Sequence, residues 1–95
     1  MFIVTLTFAA NRYRAGEFMA GHKAWIAEGF EKGLFLMVGS LQPNRGGCIF
    51  AHGADRDAVE IFVAADPFVA EGVVTAEILE VTPARLDERL TFLAA

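Results

Sequence analysis

Leu34-Phe35-Leu36-Met37-Val38-Gly39-Ser40-Leu41-Gln42-Pro43-Asn44-Arg45-Gly46-Gly47-Cys48-Ile49-Phe50-Ala51-His52 is the stretch on which the fold turns. A nearly unbroken apolar run, Leu34 to Leu41, meets a cluster of turn formers from Gln42 to Gly47 and resumes as Cys48 to His52. Two apolar runs joined by such a turn predict a β-hairpin. Neighbouring strand residues point to opposite faces, so Leu34, Phe35, Leu36, Met37 and Val38 put apolar side chains on both faces of whatever sheet they join.

Working outward, Phe2 to Phe8 is rich in β-formers (Ile3, Val4, Thr5, Thr7) and stops at Asn11, which predicts a first strand. From Gly16, the residues Phe18, Met19, His22, Trp25, Ile26 and Phe30 recur at helical spacing. Glu17, Lys23, Glu28, Glu31 and Lys32 fall mostly on the other faces, and Gly33 ends the run. Beyond the hairpin, Gly53 and Asp55 open a second helix whose inner face uses Ala58, Val59, Phe62 and Val63. It ends by Asp66, because Pro67 disfavours helical geometry in the residue before it. Val73 to Val81 is a fourth strand, and Pro83 opens a short C-terminal helix with Leu86, Leu90 and Leu93 on one side.

The order is βαββαβ plus a terminal helix. This predicts one α+β domain over residues 1–95, ferredoxin-like, with two helices on one face of a four-stranded antiparallel sheet. The helices cover one face only, while the second strand is apolar on both. Of the 95 residues 55% are hydrophobic, a large share for two thin layers to hide, so a homodimer through the open sheet face is expected.

Charge and composition exclude some partners. Eight Lys and Arg stand against twelve Asp and Glu, a net charge of −4, which leaves no basic field for nucleic acid. The opening residues Met1 to Ala10 are apolar, but they lack a basic leader and run into Arg12 and Arg14, so they are read as strand and not as signal peptide. No apolar run approaches the roughly 18 residues of a membrane span. The single cysteine, Cys48, has no internal partner, which fits a reducing cytoplasm. His22, His52, Cys48 and Asp66 show no zinc-type spacing, and no glycine-rich phosphate loop joins a strand to a helix, so neither metal nor nucleotide cofactor is expected.

With the first strand pointing up, the topology gathers polar chemistry at the top of the sheet. Asn11 to Arg14, His22, Ser40, Arg45 and the stretch Asp66 to Gly72 all belong there. His22 lies in the apolar stripe of its helix and has two readings: a core imidazole satisfied by a backbone carbonyl, or a group that moves protons. Asp66 is either a turn residue bonding its own backbone or the carboxylate that orients His22 and frees its second nitrogen. Ser40 could hold a substrate oxygen or simply end its strand. Arg45 could orient an acidic group or be solvated. Trp25, Phe18 and Phe68 could wall an apolar pocket.

His22 early in the first helix, Gly33-Leu34-Phe35-Leu36, and above all Ala65-Asp66-Pro67-Phe68-Val69-Ala70-Glu71-Gly72-Val73 give a chain that resembles the YciI-related (YCII) family from about Phe2 to Val81. The resemblance implies a dimeric α/β-barrel fold, a pocket between helices and sheet, and a catalytic His and Asp, here His22 and Asp66. Where that family often has Gly-Pro this chain has Gly39-Ser40, so no role for Ser40 is carried over. The implied chemistry is lyase-type proton transfer on small oxygenated rings, such as dehydrochlorination of chlorinated hydroquinones. Two other readings stand beside it: a non-catalytic ligand-binding or accessory dimer, and a cofactor-free monooxygenase-like enzyme.

Overall fold

The computed structural model describes residues 1–94. Four strands, β1 (Phe2–Phe8), β2 (Phe35–Leu41), β3 (Gly46–Ala51) and β4 (Val74–Glu80), form one sheet in the order β2-β3-β1-β4. Every pairing is antiparallel. Helices α1 (Ala15–Glu31) and α2 (Arg56–Ala64) are the two crossovers, and a four-residue helix, α3 (Pro67–Ala70), precedes β4. This is the α+β ferredoxin-like fold that the element order predicts.

Alternation along β1 assigns the sheet faces. Phe2, Val4 and Leu6 are buried beneath the helices, while Ile3, Thr5 and Thr7 occupy the other face. Registered beside them on that open face are Phe50 and Cys48 of β3 and Leu79, Glu77 and Thr75 of β4. A β-bulge between Phe35 and Met37 shifts the register of β2. It allows Phe35 to enter the core while Met37 stands opposite Phe50.

The helices are seated by aromatic packing. Trp25, Phe35 and Phe62 meet with ring centroids 5.1 to 5.6 Å apart, and the indole of Trp25 donates to the Phe62 carbonyl at 2.9 Å. Such contacts each add about 0.5–1.5 kcal/mol beyond simple burial. Gly29 is buried where α1 crosses Phe35, because a Cβ there would run into the ring. α1 ends at Gly33, whose φ of 71° suits glycine. Asp55 caps α2, accepting from the Ala58 amide at 2.9 Å. Along the outer flank, Arg56 pairs with Glu60 at 2.9 Å and donates to the Ile78 carbonyl of β4 at 3.0 Å.

Three details depart from the sequence reading. Ala58 is exposed, so α2 buries Val59 and Val63 with Phe62 half-buried. The turn after Asp66 is itself a helix, α3, because Pro67 sits at its first position and Asp66 caps it. The C-terminal helix does not open at Pro83: the chain stays irregular to Asp87, and Glu88–Leu93 forms short 3-10 turns kinked at Leu90. Asp87 accepts from the Arg89 amide and so starts the helical turn later than the proline would. Among the described residues, no helix is long and apolar enough to cross a membrane.

Candidate active site

Asp66 is the one buried charged side chain among the described residues, and the fold builds the site around it. Its Oδ1 accepts from the Phe68 amide at 3.0 Å, the capping bond of α3. The same oxygen lies 2.8 Å from Nδ1 of His22, forty-four residues away in sequence. Two contacts bring the segments together. Gly21 approaches so closely that an added Cβ would lie 3.1 Å from the Pro67 ring. Asn11 donates from its side chain to the Glu71 carbonyl at 2.9 Å, tying the loop before α1 to the end of α3.

The imidazole is held in three ways. Nδ1 meets Asp66, the ring stacks on Phe68 with centroids 3.9 Å apart and planes 3° apart, and Trp25 lies behind at 5.8 Å. A carboxylate oxygen that already accepts from a backbone amide accepts from Nδ1–H as well, which leaves the lone pair on Nε2. Nε2 has no protein partner among the described residues. The other Asp66 oxygen, Oδ2, is buried and unpartnered.

His22 borders a cavity of about 350 Å³ between α1 and the upper end of the sheet, within the range of small-molecule sites. Leu6, Phe8, Met19, Ile26, Val38 and Phe68 give it an apolar wall, and the polar residues His22, Lys23 and Ser40 also line it. Thus His22, Ser40 and Phe68 share one cavity, with Asp66 behind. Trp25 and Phe18 support the helix without lining the cavity. Arg45 is placed apart: it lines a second cleft with Thr5, Thr7 and Arg12, on the open face of the sheet. Lys23 is the lining residue that sequence reasoning passed over, because its place on the helical wheel put it with the solvated charges.

At the start of α1, Arg14 donates to both carboxylate oxygens of Glu17 at 3.0 and 3.2 Å. This bond holds the Glu17 carboxyl below its ordinary range and raises the Arg14 guanidinium. Among the described residues, no three His, Cys, Asp or Glu side chains cluster closely enough to hold a metal ion.

The profile of the YCII-related domain matches residues 1–84, and the chain belongs to that family. No curated protein matches the sequence. Among solved structures the chain is similar to the 5-chloro-2-hydroxyhydroquinone dehydrochlorinase TftG from Burkholderia phenoliruptrix AC1100, in complex with 2,5-dihydroxybenzoquinone. The TM-score is 0.67 at 16% identity, over 85% of this chain and 93% of that one, a likeness of fold.

Proposed function

We propose that this chain is a small lyase-type enzyme in which His22 moves a proton on a compact oxygenated ring. The observation that carries the reading is the Nδ1 contact of 2.8 Å to a fully buried Asp66, which leaves Nε2 as a base at the cavity. His22 takes a proton from a ring hydroxyl or from carbon beside a carbonyl. The electron pair of the broken bond reorganises through the ring and expels a leaving group such as halide. The net change is loss of HX, with no external oxidant or reductant. Asp66 stabilises the imidazolium formed on the way, Phe68 keeps the ring oriented, and Ser40 offers a hydroxyl to a substrate oxygen. The fold shared with a dehydrochlorinase supports this class of chemistry.

We also propose that the open sheet face is covered by a second copy of the chain, in the reducing cytoplasm that a lone cysteine suits. Ile3, Met37, Phe50 and Leu79 make that face apolar, and Leu79 is 45% exposed. Burial there contributes about 25 cal/mol per Å² of apolar area.

The test is release of chloride from 5-chloro-2-hydroxyhydroquinone by the wild-type chain and by His22→Gln. We expect the substitution to slow release by roughly 100-fold or more, the usual share of a positioned base, with the circular dichroism and melting curve retained. Equal rates in the two proteins, or no release above background by the wild type, would overturn the reading.

A further inference from the structure

Resting on the catalytic reading of this cavity, and naming its substrate class more closely, we infer that the cavity takes an anionic ring, with Lys23 holding the negative charge at the end away from the ring's reacting proton. Lys23 lines the same cavity as His22. Four of the eight Lys and Arg are matched: Lys32 meets Glu28 at 3.3 Å, Arg14 meets Glu17 at 3.0 Å, Arg56 meets Glu60 and Arg89 meets Asp87, each at 2.9 Å. Of the other four, Arg12, Arg45 and Arg85 lie outside this cavity and Lys23 alone borders it. Lys23 has no carboxylate within 4.0 Å among the described residues.

The sequence explains why. The positions three and four residues to either side on α1, where a helix normally places an ion-pair partner, are Met19, Ala20, Ile26 and Ala27. Met19 and Ile26 belong to the apolar cavity wall, and Lys23, an exposed residue, borders the cavity beside them with no carboxylate at ion-pair spacing on its own helix. No Asp or Glu lines the cavity, and the accepting oxygen of Asp66 is already engaged by His22 and the Phe68 amide.

The cavity therefore presents one permanent cation, one imidazole and one serine hydroxyl among aliphatic and aromatic carbon. A neutral ring would leave the ammonium unmatched. A ring that carries a phenolate, an enolate or a carboxylate matches it, and the charge fixes which edge faces His22. Lys23 is on this account a specificity residue: it selects ionised rings and sets their direction, while His22 moves the proton.

The experiment uses two probes of one shape: 2,5-dihydroxybenzoquinone, whose acidic hydroxyls ionise at neutral pH, and its bis-methyl ether, which cannot ionise. Affinities of the full chain, Lys23→Met and Lys23→Arg for both probes are measured by calorimetry at low salt. We expect the wild type to prefer the anion, and Lys23→Met to lose roughly five- to tenfold in affinity for the anion alone, with much of this restored in Lys23→Arg. Equal affinity for the two probes, an equal loss for both on substitution, or no binding of the anion would overturn the inference. The two readings fail separately. Chloride release that depends on His22 beside a Lys23→Met chain with unaltered anion affinity sinks only the role of Lys23. Charge-selective binding with no turnover sinks only the lyase.

Discussion

Phe68 holds both members of the His22–Asp66 pair: its amide donates to Asp66 Oδ1 at 3.0 Å, and its ring lies flat on His22 with planes 3° apart. A single residue of a four-residue helix thus fixes the carboxylate through the backbone and the imidazole through the side chain. The first turn of α3 is therefore part of the candidate site, and a substitution that unwinds it disturbs the His22–Asp66 pair and folding together.

Asp66 should be dissected by two substitutions. In Asp66→Asn the amide oxygen can still accept from Phe68 and His22, but its NH2 takes the buried place of Oδ2, which has no partner. We expect a loss of about 1–2 kcal/mol for Asn, and of about 2–4 kcal/mol for Ala, which removes the cap and strands both donors. Denaturant titration reads the difference. Nitrogen NMR of neutral His22 should show the proton on Nδ1 in the wild type and a loss of that preference in Asp66→Ala; a wild-type proton on Nε2 would contradict the assigned geometry.

Two glycines of α1 should respond oppositely to the same change. Gly16 has nothing within 4 Å of an added Cβ, so Gly16→Ala should stabilise the chain by roughly 0.5–1 kcal/mol through the helix preference of alanine. At Gly29 the new methyl meets the Phe35 ring, and Gly29→Ala should destabilise by about 1–3 kcal/mol despite that preference. Thermal melting of both variants checks the pair, and equal shifts would show that Phe35 has room to move.

Assembly through the open face predicts a sedimentation coefficient for the wild type that corresponds to two chains at micromolar concentration. Leu79→Lys, on the edge strand of that face, should shift the boundary toward one chain while the far-UV spectrum is kept. A wild-type chain that sediments alone would leave Ile3, Phe50 and Leu79 as unpartnered surface.

Much of this was legible in the sequence because it depended on apolar runs, turn residues and helical periodicity. The two apolar runs and intervening turn of Leu34–His52 and the helical stripe from Phe18 to Phe30 fix which elements form, and strand direction then fixes which end of the sheet receives His22, Ser40 and Asp66. What periodicity does not carry is the choice of face at a turn. Arg45 does reach the upper end, but on the side of Thr5 and Thr7, away from the His22 cavity. The same limit hides α3, since Asp66-Pro67 looks identical whether it closes one helix or starts another. Lys23 was missed for a related reason: a helical wheel separates it from His22, whereas a cavity spread over several residues of α1 includes both.

The flank of β4 bears on how such chains meet. β4 is an outer strand with unpaired backbone along its free side, and the Arg56 guanidinium occupies the Ile78 carbonyl there while lying 3.9 Å from Glu80. A neighbouring molecule that tried to extend the sheet would first have to displace a charged plug. On that border the Ile78 carbonyl is thus already engaged within the chain and is not free for a neighbouring strand.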